Sequence, residues 1–323
     1  MAAFVYHLRV TKGYDNIYGL SIWNEPNALS GYGTSLPSGF LALYEPVRAK
    51  LDALVLSYIK IIGPDTTTPD PRFINNLMPS YGVYWDQISN HDYGSWCGNA
   101  VGNWSSLVNN INANYGGKPV IVGEYGNFGN KSGPVDNDAN VYNGSISCAH
   151  MVIRYMNAGV KGFLEWEFAI YGDTWRCFGA LTASDPNYVF KAYGPKYWTR
   201  SVLGRYVRAG WKVMNVNEDV TGTGNVVCAV LRAPDNNQTT ILISNFSTSG
   251  YNLGIDLSSL PNKLTTLNNV YVTGPVPNGI TEGNPVVLNN GIGSLYVNPK
   301  SVVALTTLPV GDLNAPNQMA VEW

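Results

Sequence analysis

The sequence predicts an α/β domain with a parallel sheet, of the (β/α)8 barrel type, followed by an all-β sandwich. Three observations predict it. Up to about residue 207, short β-like runs alternate with helical stretches. Polar or aromatic residues follow these runs near Glu25, Asp65, His91, Glu124 and Trp166, recurring roughly every 30 to 40 residues, about the size of one barrel βα unit. Beyond that point the pattern changes to short β runs punctuated by Gly, Asn and Pro. The expected domains are therefore 1–207 and 208–323.

Taken in order, Met1 to Lys12 reads as a helix, and strands are expected at Ile17–Trp23, Tyr58–Ile62, Trp85–Asn90, Pro119–Gly123 and Val160–Phe168. The runs IYGLSIW and KPVIVG are apolar without alternation, as a strand buried on both faces should be. Gly39 to Leu56 carries Phe40, Leu43, Tyr44, Val47, Leu51, Leu54 and Val55 at helical spacing, and Asn140 to Met156 reads the same way. An open doubly wound sheet is the alternative, but no phosphate-binding glycine loop follows any strand. Sandwich strands are expected at Trp211–Val216, Val226–Leu231, Thr240–Asn245, Tyr251–Leu257, Val270–Thr273, Pro285–Leu288, Ser294–Val297 and Val302–Leu308.

Composition narrows the function. With 45% apolar and 13% charged residues in 323, the chain folds around a sizeable core. Its 20 Lys+Arg against 22 Asp+Glu leave no basic surplus, so neither nucleic acid nor an anionic membrane is an expected partner. No apolar run approaches the roughly 18 residues that span a bilayer. The start, Met1 to Arg9, lacks the regions of a signal peptide, while five N-x-S/T sites give secretion slight support. Cys97, Cys148, Cys177 and Cys228 lack C-x-x-C spacing, and Asp136 and Asp138 are too few for calcium; no metal or cofactor is expected. Nine Trp and 21 Tyr supply flat faces of the kind that stack on sugar rings.

The chemistry lies in two motifs. Trp23-Asn24-Glu25-Pro26 ends one apolar strand, and Gly123-Glu124-Tyr125-Gly126 ends another, its carboxylate 99 positions later. Cleaving a glycosidic bond needs one carboxyl to protonate the leaving group and another to attack the anomeric carbon. These residues resemble the retaining (β/α)8 glycoside hydrolases of clan A, in which an Asn-Glu pair closes the fourth strand and a second Glu closes the seventh.

The resemblance implies Glu25 as acid/base, Glu124 as nucleophile and Asn24 as donor to the sugar 2-hydroxyl. His91-Asp92-Tyr93 matches the His-x-Tyr after strand six, where Tyr93 steers the nucleophile and His91 lines the site. Trp166, in Leu164-Glu165-Trp166-Glu167-Phe168, fits the aromatic platform after strand eight, with Glu167 turned away. Trp96, Tyr125, Tyr171 and Trp175 fall in loops on the same face, where each either extends the cleft or packs its loop, and Cys97 and Cys177 on that face are either a disulfide pair or separate thiols. The ionised Glu124 should make Glu25 hold its proton near neutrality. Tyr193 to Tyr206 is similar to the helix that leaves the barrel in many clan members.

If Glu25 closes strand four, strands one to three have no counterpart in this chain. The expected sheet is then incomplete, strands four to eight only: an open arc whose first and last strands are edges, with Leu20 and Ile22 meeting solvent. The function implied is a retaining β-glycosidase acting on a β-linked glucan or related polysaccharide, extracellular or in a lysosomal-type compartment at full length. The competing class is a catalytically silent, carbohydrate-binding or orphan fragment.

Overall fold

A computed structural model describes residues 1–30, 36–37, 39–67, 72–93, 100–126, 138–165, 169–170, 179–181, 190–192, 194–216, 224–261, 263–274 and 279–311. The chain gathers into two compact units, Met1–Tyr125 with Ala158–Glu165, and Gly126–Asn157 with Trp166–Trp323.

The first unit opens with helix α1 (Ala2–Tyr6), which continues as a π-helical turn through Thr11, as the sequence predicts. Its sheet has five strands, β1 (Gly19–Ser21), β2 (Lys60–Thr66), β3 (Gln87–Tyr93), β4 (Val120–Gly126) and β5 (Gly162–Glu165). They lie side by side in chain order, parallel, with β1 and β5 as the two edges. The expected open arrangement is present among the described residues. One expectation fails: Ile22 is buried at 8% exposure, and Leu20 is half-buried. An edge strand leaves backbone groups unpaired on one side, yet its side chains still point to the two faces, where they can be covered.

The strands also end later than their apolar runs. β2, β3 and β4 continue through Thr66, Tyr93 and Gly126, so His91, Tyr93 and Glu124 sit within the ladder rather than after it. Apolarity marks only the part of a strand that faces the core, while backbone pairing continues into the polar end. Helix α2 (Tyr44–Ala53) follows a 3-10 turn at Phe40–Leu43, so the expected helix through Leu56 is shorter and divided. Helices α3 (Arg72–Tyr81) and α4 (Ala100–Asn114), which sequence reading did not single out, follow β2 and β3. α4 buries Trp104, Leu107, Val108 and Ile111, the spacing of one helical face. On α2, Arg48 donates to Asp86 Oδ2 (2.5 Å) and to the carbonyls of Ser57 and Ile59. Asp86 also accepts from the Ile61 backbone N–H, so the entry to β2 is pinned by charge-assisted bonds.

In the second unit, α5 (Asp138–Asn157) matches the expected helix. A small sheet of β6 (Ala169–Ile170), β7 (Gly179–Leu181) and β8 (Phe190–Ala192) was not foreseen. Helix α6 (Gly194–Arg205) occupies the expected Tyr193–Tyr206 region. Then come β9 (Lys212–Met214), β10 (Val226–Arg232), β11 (Thr239–Asn245), β12 (Tyr251–Asp256), β13 (Thr266–Thr273), β14 (Thr281–Val287), β15 (Ile292–Val297) and β16 (Ser301–Thr306), each overlapping its expected run.

Six of them form an antiparallel sheet in the order β14-β13-β16-β11-β10-β9, and β12 pairs with β15. Alternate residues Ile241 and Ile243, Val303 and Leu305 join Leu267 and Val297 in one core between these sheets. α5 and α6 pack on the large sheet, where Thr240 Oγ1 donates to the Tyr206 carbonyl at 2.7 Å and the Tyr142 hydroxyl donates to that of Lys300.

Candidate active site

Strand alternation arranges the first pair of residues. His91 and Tyr93 share one face of β3, and Asp92 turns to the other, where it accepts from Trp104 Nε1 at 3.0 Å. On the first face, the Tyr93 hydroxyl donates to Glu124 Oε2 at 2.5 Å. His91 is completely buried, with Nδ1 2.9 Å from Glu25 Oε1 and 3.5 Å from Glu124 Oε2. Its Nε2 lies 3.2 Å from Asp65 Oδ1. Four of the sequence-derived site residues, Glu25, His91, Tyr93 and Glu124, thus converge.

The backbone is bent to make this possible. Glu25 has φ of 52° and Asp65 φ of 61°, left-handed conformations that cost a non-glycine residue about 1–3 kcal/mol. The Glu25 N–H donates to the Asp65 carbonyl at 2.9 Å, so the two bent positions are tied together. Register shifts between Pro64 and Thr66 on β2, and between Val122 and Tyr125 on β4, re-aim side chains at the same end of the sheet. Gly123 sits in the second of these. A Cβ there would lie 2.5 Å from Asp65 Oδ1 and closer still to Ser89 Oγ, so only glycine lets β4 approach them.

Asp65 is the residue that sequence reasoning missed as a member of the site. It stood among the polar residues after strands, but an Asp following an apolar run ordinarily reads as a solvated turn residue. Here it is 7% exposed and accepts from Ser21 Oγ (2.7 Å), Ser89 Oγ (2.6 Å) and His91.

These contacts set the protonation states. Burial would raise the Asp65 carboxyl, but hydrogen bonds and charge from His91, with the bonds from Ser89 and Ser21, outweigh it and hold Asp65 below the ordinary carboxylate value. Burial would likewise discharge His91, yet Asp65, Glu124 and Glu25 overcome that and raise its pKa. Glu124 is pushed up, first by burial and then by the charges of Glu25 and Asp65, against the opposing effects of Tyr93 and His91. Burial and the imidazole, and not only repulsion between the two carboxylates, thus act on Glu124.

The remaining expected residues differ in fate. Asn24 is exposed beside Glu25, and Trp23 packs edge-on against Phe40 at 6.1 Å. Tyr125, a candidate to extend the cleft, is instead buried at 3% exposure, with its hydroxyl donating to Glu165 Oε2 at 3.0 Å. Alternation along β4 separates it from Glu124. Trp166, Glu167, Trp96, Tyr171, Trp175, Cys97, Cys177 and Asp136 lie outside the described residues. Of the other cysteines, Cys148 is buried and Cys228 half-buried. Glu25, His91 and Glu124 each offer an atom within 4.8 Å of the others, close enough to hold a metal ion and equally close enough to share protons.

The chain thus combines a parallel sheet of alternating β and α elements, with two carboxylates close together at one end, and an antiparallel sandwich. No protein-family model matches the sequence, and no curated protein matches it. Solved structures do. The catalytic domain of GH30 xylanase C from Talaromyces cellulolyticus aligns with a TM-score of 0.66 at 15% identity, over 94% of this chain and 66% of that one. A conserved exported protein from Bacteroides fragilis gives 0.70 at 14% identity over 94% and 67%, and a GH39 β-xylosidase from Caulobacter crescentus 0.58 at 18% over 95% and 71%. The chain therefore spans about two thirds of the length of the structures it matches. At these identities the likeness is one of fold, shared with clan A glycoside hydrolases. No helix among the described residues is long and apolar enough to cross a membrane.

Proposed function

We propose that the protein is a retaining β-glycosidase that hydrolyses a β-linked glucan or related polysaccharide by double displacement, without a cofactor. The observation that carries the reading is the closeness of the carboxylates: an oxygen of Glu25 lies within 4.8 Å of one of Glu124. That closest approach is compatible with the separation of about 5–5.5 Å between carboxyl groups that suits direct attack and a glycosyl-enzyme intermediate, whereas inversion needs about 6.5–9.5 Å between the groups to admit a water.

In the first step the Glu124 carboxylate attacks the anomeric carbon as Glu25 gives its proton to the departing oxygen. In the second, Glu25 takes a proton from water as that water displaces Glu124. Tyr93 holds the attacking carboxylate in one orientation and favours its ionised form. His91, spanning both carboxylates, lets the proton of one respond to the charge of the other. Asn24 donates to the sugar 2-hydroxyl and Trp166 stacks beneath the ring. The partner is carbohydrate, not nucleic acid or membrane, and the setting is extracellular or lysosomal-type; the likeness to an exported protein supports that setting.

The test is turnover of aryl β-glycosides by the wild-type chain and by Glu25→Gln and Glu124→Gln, with product stereochemistry read by NMR. Retention, lost with either change, supports the reading. Inversion overturns the mechanism, and sugar binding without turnover replaces it with the silent fragment.

A further inference from the structure

We propose that the β-sandwich carries a glycan-binding site of its own, a groove between the β14 edge of the large sheet and β15 of the small one, which takes an uncharged sugar chain. The proposal goes beyond the hydrolase reading and does not depend on the carboxylate cleft being active.

The groove measures about 370 Å³, within the roughly 300–1,000 Å³ of ligand pockets, and no charged side chain lines it among the described residues. Asn269 and Tyr271 of β13, Asn284 of β14, Tyr296 of β15 and the following Asn298 supply its aromatic and amide surface. Tyr296 is 55% exposed, so its ring is accessible to a partner. Its hydroxyl end rests against Gly250, where any side chain would displace it. Tyr271 packs partly on the sandwich core.

Asn269 supplies the second, independent sign. It is 8% exposed, and its Oδ1 has no hydrogen-bond partner among the described residues. A buried amide oxygen left in that state costs about 1–3 kcal/mol, a cost relieved when a donor enters. Across the ladder from it stands Gly283; a Cβ there would lie 2.6 Å from Asn269 Nδ2 and 3.1 Å from the Tyr271 ring. Glycine at this register position leaves room for the amide and the ring edge.

The lining selects the ligand class. A phosphate or carboxylate would find no cation, and a lipid chain would leave three amides unsatisfied. A peptide adding as a strand would need the backbone of β14, where Pro285 lacks an N–H. A neutral sugar offers an apolar C–H face to Tyr296 and hydroxyl donors and acceptors to the asparagines, so it satisfies both kinds of surface.

The experiment is affinity electrophoresis of the full chain carrying Glu124→Gln, so that bound glycan is not consumed, in gels containing arabinoxylan, xyloglucan or mixed-linkage β-glucan. At least one polysaccharide should retard it. Tyr296→Ala should weaken that retardation tenfold or more with an unchanged melting temperature, because the ring is exposed, and Asn269→Ala should weaken it as well. Retardation unaffected by Tyr296→Ala, or none with any of the three, overturns the proposal. Turnover of aryl glycosides by the chain with and without Tyr296→Ala, measured in parallel, separates the two readings: it should be equal, and an inactive chain that still binds through Tyr296 overturns only the hydrolase.

Discussion

His91 faces Asp65 with one ring nitrogen and Glu25 with the other: Nε2 stands 3.2 Å from Asp65 Oδ1, and Nδ1 2.9 Å from Glu25 Oε1. The imidazole thus joins a carboxylate fixed by two serines to the carboxyl assigned as acid/base. An imidazolium donates both bonds at once, which explains why its pKa is raised in spite of complete burial.

Asp65→Asn should therefore lower the His91 pKa, as followed by NMR of the imidazole. The raised His91 contributes stability that is fully present below its ordinary value and lost as pH rises through the raised one. The depressed Asp65 contributes stability that is present above its ordinary value and lost as pH falls through the lowered one. Between about pH 4 and 6.5, the ordinary values of the two groups, both contributions hold. Melting curves of wild type and variant should differ most in that window, and the gap should narrow as pH rises through the raised His91 value, leaving the part that Ser89 and Ser21 hold on Asp65; a gap independent of pH would mean that the pair is not ionised.

Tyr93→Phe removes a hydrogen bond that lowers the Glu124 pKa, so burial and the neighbouring charges should raise it further. The acid limb of kcat/KM should move to higher pH, because the nucleophile must be ionised to attack. An unmoved limb would detach Glu124 from that limb.

Glu25→Ala and Glu124→Ala should fail differently. Without Glu25, substrates with an unactivated leaving group should lose about 10²–10⁴-fold, the usual value of general acid catalysis, while a dinitrophenyl glycoside should keep most of its first-step rate. Without Glu124 both should be lost, since no bond to the sugar can form. Equal loss on the two substrates for both variants would contradict the assignment of roles.

Gly123→Ala should destabilise the first unit by about 1–3 kcal/mol in urea denaturation, because the added Cβ meets Asp65 and Ser89 where neither can retreat from its hydrogen bond. The smallest side chain suffices. A denaturation midpoint equal to wild type would show that β4 can shift without cost.

Much of this was legible in the chain itself, because hydrophobic runs and turn residues are local signals. The alternation of apolar runs and helical stretches placed all five parallel strands, and Gly, Asn and Pro divided the sandwich into its eight. Two tetrapeptides marked Glu25 and Glu124, and His91-Asp92-Tyr93 marked the face between them. Other features depend on which side chains meet across the sheet. Asp65 and Gly123 are 58 positions apart, and no local pattern says that one closes on the other. Burial of Tyr125, the left-handed turn at Glu25 and the upward shift of Glu124 likewise follow from packing and desolvation. Sequence composition determines which residues can carry charge or leave water; the distances at which strands bring them together decide which of them remain charged.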